Sequence, residues 1–163
     1  MSELDLEKAV QIYGEKLFCH VYTLLCDYHE AEDIVQDVFF AAYREQTRFD
    51  GENLSAWLYK IAYNKSIDHL RRRKVVTFYE LRENTPAAEH DFDTGYSPAV
   101  ISALRRLTDE ERLILLGRIT ESLDYEELAG LLGLSEPAVR KRYERAKKKL
   151  AGYLREMGSE AFI

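Results

Sequence analysis

Between residues 75 and 97 the chain loses all periodicity: the stretch holds Pro86, Gly95, several small residues and five acids against a single arginine. An interval of this length and composition reads as a flexible linker rather than as one more packed element. Any core must therefore be built twice, over residues 1–74 and again over 98–163, and 163 residues are enough for two small domains.

Both flanks read as helices. Leu6, Ala9, Val10, Tyr13, Leu17, Val21, Leu24 and Leu25 recur at steps of three and four, as on one face of a long amphipathic helix. Asp27 followed by Glu30 predicts a capping box that opens a second helix, with Ala31, Ile34, Val35, Val38, Phe39 and Ala42 as its inner stripe. "EQTRFDGENL", with Gly51 and Asn53, breaks the period and predicts a loop. Helical spacing resumes at Ser55 and runs through Trp57, Leu58, Ile61, Ala62 and Leu70 into "RRRK".

Past the linker, Ser97 before Pro98 predicts a helix start, and Thr108 with Glu111 and Asp124 with Glu127 predict two further capping boxes. Gly133 is placed to end the Asp124 helix in a left-handed residue; Ser135 and Pro137 then start a long last helix with Val139, Tyr143, Ala146 and Leu150 inward. No strand pattern occurs, so the expected fold is all-α, with two helical domains.

"YEELAGLLGLSEPAVRKRYERAKKKL", residues 125–150, combines a short helix with small Ala129, a turn at Gly133–Ser135, and apolar Val139 four residues past the cap. That is helix-turn-helix spacing. The outward side of its second helix carries Arg140, Lys141, Glu144, Lys147 and Lys148, with Arg142 and Arg145 at the flank, suited to guanine acceptors and phosphates in a major groove.

The net charge of −6 argues against loose nucleic-acid binding, but the average conceals two basic blocks. Residues 55–74 hold six Lys or Arg against one acid, and residues 138–163 eight against three. Such focused patches bind phosphate despite an acidic total. The first block, "WLYKIAYNKSIDHLRRRK", interleaves its cations with Tyr59, Tyr63 and Asn64, which suits unstacked bases better than an intact duplex; Trp57 reads as core. In "HEAEDIVQDVF" the inward stripe leaves Glu32, Asp33, Gln36, Asp37 and Phe40 outward, a row whose default meaning is a solvated acidic face.

Cys19 and Cys26 lie seven residues apart, on one helix face, beside His20 and His29. Cys26-x2-His29 is half a ligand motif with no second pair at a familiar spacing, so neither metal nor other cofactor is expected, and the cysteines read as reduced packing residues. No apolar run approaches the roughly 18 residues of a membrane span, and "MSELDLEKAV" is acidic where a secretion signal is basic, so the chain is expected in the cytoplasm.

Together these segments resemble the extracytoplasmic-function (ECF) group of bacterial sigma factors, the promoter-specificity subunits of RNA polymerase. "AEDIVQDVF" is similar to their region 2.2, "AWLYKIAYNKSIDHLRRRK" to regions 2.3 and 2.4, and "LTDEERLILLGRITESLDYEELAGLLGLSEPAVRKRYERAKKKL" to region 4. "SEPAVRKRY" departs in having Pro137 and Ala138 where the group usually shows Gly and Thr.

The resemblance implies a promoter-directing initiation factor with no catalytic residue. It assigns Glu32, Asp33, Gln36, Asp37 and Phe40 to the clamp coiled coil of the polymerase's largest subunit. Phe49, Asp50, Gly51, Glu52 and Asn53 fall to base capture at the minus-ten element, and Tyr59, Lys60, Asn64, Lys65, Asp68, Arg71 and Arg72 to its melted strand. Arg140, Lys141, Arg142, Glu144, Arg145 and Lys148, within the helix-turn-helix of about residues 125–144, fall to the minus-thirty-five element. It also implies an anti-sigma partner. The alternative is a stand-alone helix-turn-helix regulator with an N-terminal effector or dimerisation domain; it leaves the first basic block and the ordered acids without a role.

Overall fold

The computed structural model describes residues 5–77 and 95–158. The chain divides into two compact units, Met1–Asp93 and Thr94–Ile163, and the described residues hold helices and no strand. Most of the aperiodic interval, residues 78–94, lies outside the described residues.

In the first unit α1 (Leu6–Leu25), α2 (Tyr28–Arg44) and α3 (Leu54–Thr77) pack pairwise against one another. Their core is the periodic stripe: Leu17, Val21, Leu24 and Leu25 meet Ala31, Ile34, Val38 and Ala42 of α2 and Leu58, Ala62, Ile67 and Leu70 of α3. Asp5 caps α1 by accepting a hydrogen bond from the Lys8 amide, and Cys26 ends it with φ 54°, its N–H donating to the Tyr22 carbonyl. α3 runs to Thr77 because nothing between Leu70 and Thr77 breaks a helix, so loss of amphipathic period precedes loss of helix. "EQTRFDGENL" contains one short 3-10 turn, Gln46–Arg48, where a loop is expected.

The expected Asp27–Glu30 capping box closes in one direction only. Asp27 accepts from the Glu30 amide at 2.9 Å, but the Glu30 carboxylate is drawn away to the guanidinium of Arg73 on α3. Arg73 also donates to the Leu25 carbonyl at 3.3 Å, so one side chain, 8% exposed, ties the end of α1 and the start of α2 to α3.

The second unit consists of α4 (Pro98–Arg106), α5 (Asp109–Ile119), α6 (Tyr125–Leu132) and α7 (Glu136–Glu156), with α7 packed on the other three. Leu104, Leu107, Leu115 and Ala146 form a core cluster, flanked by Val100, Ile101, Tyr143, Leu150 and Tyr153. Leu128 and Val139 are fully buried between α6 and the start of α7. Gly133 ends α6 at φ 68°, a left-handed conformation that glycine adopts without steric penalty, and Ser135 caps α7 through the Ala138 amide.

Thr108 and Glu111 form the capping box that closes in both directions, whereas Asp124 accepts from the Glu127 amide without a reciprocal bond. Glu111 is buried at the foot of α5, with the Lys149 ammonium 3.1 and 3.0 Å from its two carboxylate oxygens. Burial raises its pKa, but the hydrogen bonds from Lys149 and Thr108 outweigh burial and hold it below the ordinary value of 4.5. A carboxylate with a depressed folded-state pKa stabilises the fold above its unfolded pKa and loses that contribution as pH falls through the folded value. The expected outcome is that wild type is more stable than Glu111→Gln at neutral pH, and that the gap closes as pH drops below 4.5. Thermal denaturation of both proteins across that range checks it; a gap that persists unchanged into acid would refute it.

Candidate functional site

Each candidate surface is a helix face left over when the core has claimed the opposite side. On α2, burial of Ala31, Ile34 and Val38 turns Glu32, Asp33, Gln36 and Asp37 outward, all exposed. Phe40 follows at 61% exposed, a large apolar ring in water one turn beyond the acids. Tyr43, 43% exposed, continues the same stripe and was not singled out from the sequence. Its spacing, three residues past Phe40 and seven past Gln36, carried the signal. The face is thus acidic at one end and aromatic at the other, chemistry suited to a basic protein surface with an apolar cleft rather than to nucleic acid.

The loop after α2 is partly self-structured. Phe49 lays its ring against Trp57 with centroids 5.1 Å apart, so both are half-buried, and Trp57 supports the loop from outside the main core. Asp50 accepts from the Glu52 amide at 2.9 Å, and Asn53, at φ 46°, caps α3 by accepting from the Ala56 amide at 3.1 Å. Gly51 sits at φ 87°, a conformation that disfavours any side chain. Asp50 and Asn53 therefore hold the turn, and all four residues from Asp50 to Asn53 remain exposed.

On α3, Lys60, Asp68, Arg71 and Arg72 are exposed and Asn64 half-exposed, at steps of three and four that align them along one face. Lys65 and Tyr59 flank that face half-buried, and the Tyr59 ring meets the His20 ring edge-on at 4.9 Å. Tyr63 is a correction: expected outward with Tyr59, it is 2% exposed, because its position faces α1 and α2 together with Ala62 and Ile67. The arginine run divides likewise, with Arg71 and Arg72 in water and Arg73 held inward. Arg73→Ala is expected to destabilise the N-terminal unit by about 2 kcal/mol, since it takes the guanidinium from a helix-end carbonyl and from a half-buried carboxylate, leaving the latter only His69 at 3.3 Å. Replacing the exposed Arg72 by Ala is expected to leave stability within about 0.5 kcal/mol. Urea titrations of the two variants check the contrast; equal losses would refute the division.

On α7, Arg140, Lys141, Glu144, Arg145 and Lys148 are all exposed. Glu144 pairs with Lys147 at 3.3 Å, and Lys147 lies over the Tyr143 ring. Arg142, at the flank of this face and assigned with it to the minus-thirty-five element by the resemblance, pairs instead with Glu110 of α5. Lys149, one heptad on, pairs with Glu111, so two acids at the start of α5 brace this flank of the helix.

Cys19 and Cys26 are half-buried thiols, and the Cys26 thiol lies 3.7 Å from the Thr23 carbonyl. Among the described residues no group of three His, Cys, Asp or Glu is arranged to hold a metal, and no helix is long and apolar enough to cross a membrane.

The family model of sigma-70 region 2 matches residues 9–75, and that of sigma-70 region 4 matches residues 98–150. Among curated proteins, the RNA polymerase sigma factor CarQ of Myxococcus xanthus is 33% identical over 80% of this chain and 78% of its own. The chain belongs to the sigma-70 family of RNA polymerase sigma factors. It is also similar to the ECF RNA polymerase sigma factor SigE of Mycolicibacterium smegmatis, 27% identical over 94% of this chain. The chain spans 63% of that relative's length. A solved structure of the sigma factor RpoE in complex with the anti-sigma factor NepR, from Bartonella quintana, covers 93% of this chain and 97% of its own, at TM-score 0.61 and 25% identity. The two matched regions coincide with the two packed units, so this sigma factor carries region 2 on α1–α3 and region 4 on α4–α7.

Proposed function

We propose that this chain directs core RNA polymerase to specific promoters and helps to open them, under the control of an anti-sigma partner. The observation that carries the reading is the pairing, in one chain, of a region 2 with an exposed acidic and aromatic α2 face and a region 4 with an exposed basic α7 face. Glu32, Asp33, Gln36 and Asp37, with Phe40 and Tyr43, dock on the clamp coiled coil. The exposed loop Phe49–Asn53 and the α3 face of Lys60, Asn64, Asp68, Arg71 and Arg72, flanked by Tyr59 and Lys65, hold unpaired minus-ten bases and their phosphates. Extruding a base costs a few kcal/mol, which stacking and phosphate contacts offset. Arg140, Lys141, Glu144, Arg145 and Lys148 engage the minus-thirty-five groove, and Arg142 supports them from the flank.

The chain performs no chemistry of its own; nucleotide transfer belongs to the core enzyme, and the complex works in the cytoplasm. A net charge of −6 keeps the free protein from binding DNA loosely until polymerase positions its basic faces. Similarity to a sigma factor solved with an anti-sigma factor supports control by such a partner. The test is transcription in vitro with purified core polymerase on genomic DNA: new start sites sharing upstream elements are expected, and none on addition of the protein would sink the reading. Gel shifts without polymerase are expected to show weak binding; tight specific binding would favour a stand-alone regulator.

A further inference from the structure

We infer that Tyr125, on the first helix of the helix-turn-helix, is a positioning residue for Arg140 and so a determinant of base discrimination at the minus-thirty-five element. The inference rests on reading α7 as the promoter-contacting helix. The outward cations of α7 are not equivalent. Among the described residues, Lys141, Arg145 and Lys148 are exposed with no ring or carboxylate against them. Arg140 is equally exposed but has its guanidinium carbon 5.0 Å from the centre of the Tyr125 ring.

That ring is itself fixed. The Arg118 guanidinium lies 4.5 Å from its centre and donates at 3.0 Å to the Leu123 carbonyl, which ties the stack to the backbone just before α6. Tyr143 of α7 meets Tyr125 edge-on at 6.0 Å, with Arg118 5.6 Å from its own ring centre. Order therefore passes from the α5–α6 connection through Arg118 and Tyr125 to Arg140.

The difference matters because the two kinds of DNA contact ask different things of a cation. A phosphate takes a point charge from any direction and tolerates a mobile side chain, whereas a guanine edge needs the guanidinium fork held in one plane. Lys141, Arg145 and Lys148 fit the first role and Arg140 the second. Two cations gathered on one ring repel each other in the free protein, and the arriving phosphate backbone relieves that repulsion.

The experiment measures in vitro transcription with core polymerase on a promoter this protein serves, with every single-base substitution in its minus-thirty-five element. Within one preparation the ratio between promoter variants cancels any loss of folded protein. Arg140→Ala is expected to abolish discrimination at one base pair. Tyr125→Leu is expected to lower discrimination at that same base pair by about two- to fivefold, the worth of one exposed cation–π contact, and nowhere else. Tyr125→Phe, which keeps the ring, is expected to retain it, and Tyr125→Leu added to Arg140→Ala is expected to change nothing further. Tyr125→Gln replaces the leucine variant should the latter not fold. A common loss across all promoter variants, additivity in the double mutant, or a flat profile for Arg140→Ala overturns the proposal while the parent protein stays active. A parent that yields no start sites overturns the sigma reading itself.

Discussion

Replacing Asp33 and Asp37 together by lysine is expected to abolish co-purification of this sigma factor with core polymerase while leaving its helix content and unfolding midpoint unchanged. Both side chains are exposed and both lie past the first turn of α2, so neither caps the helix nor interacts strongly with its dipole. They stand four residues apart, where like charges repel weakly; the double lysine variant keeps a like pair at that spacing, so the helix itself gains and loses almost nothing. A change in stability above about 0.5 kcal/mol is therefore not expected.

Binding should respond very differently. Each substitution reverses a charge at the centre of the proposed docking face, and like-charge juxtaposition across an interface costs several kcal/mol, a loss of about a hundredfold or more in affinity. Affinity capture with core polymerase at low and moderate salt measures it, alongside circular dichroism. Undiminished capture, or an unfolded double mutant, would count against assigning α2 to polymerase. Phe40→Ser probes the apolar end of the same face and is expected to weaken capture without touching the core, since Phe40 is 61% exposed.

The largest stability effect is expected at a residue buried away from every proposed docking face. Arg112 of α5 is 2% exposed and donates to the carbonyls of Leu104 and Leu107, both at 3.2 Å, and to the Asp109 carboxylate at 2.7 Å. The last carbonyls of a helix have few partners within it; the Leu107 amide already donates to the Leu104 carbonyl, and this guanidinium adds a charged donor to that carbonyl and to the one at Leu107 while its third bond fixes the first turn of α5. Arg112→Ala removes all three bonds, leaves two carbonyls and a carboxylate without their charged partner, and opens a cavity beside Leu104 and Leu107. The expected cost is about 3 to 5 kcal/mol, a large part of the roughly 5 to 15 that holds a small domain together. Arg112→Lys keeps the charge but not the fork and is expected to recover less than half of the loss. Urea unfolding, with amide exchange read across α4 and α5, checks both; a loss under about 1 kcal/mol for Arg112→Ala would show that water replaces the guanidinium without penalty.

Arg112 and Arg73 also mark where sequence reading stops. Each sits in a stretch that looks like ordinary polar helix, Arg112 within "DEERLILL" and Arg73 within "RRRK", and nothing local distinguishes it from its exposed neighbours. Arg73 is reserved because a helix joint formed by residues some 43 to 48 positions earlier happens to lie above it. Arg142 is reserved for the same reason: only the packing of α5 against α7 brings Glu110 to it. Tyr63 was misplaced outward because the first basic block is apolar on more than one side; two neighbouring helices, not one, cover α3.

What the amino-acid order determined alone was whatever depends on residues within a turn or two of each other. The starts of α2 and α4–α7 follow from side chains three residues from the amides they cap, and the end of α6 follows from one glycine that tolerates a left-handed backbone. The outward acids of α2 follow from periodicity, because a buried stripe dictates its opposite. Tertiary structure alone decided which cations stay exposed and which brace the fold. That choice depends on carboxylates and carbonyls delivered from other helices, and an arginine carries no local mark of the partner it will meet. The Arg118–Tyr125–Arg140 stack belongs to this second kind, since its members come from three different helices and only packing gathers them around one ring.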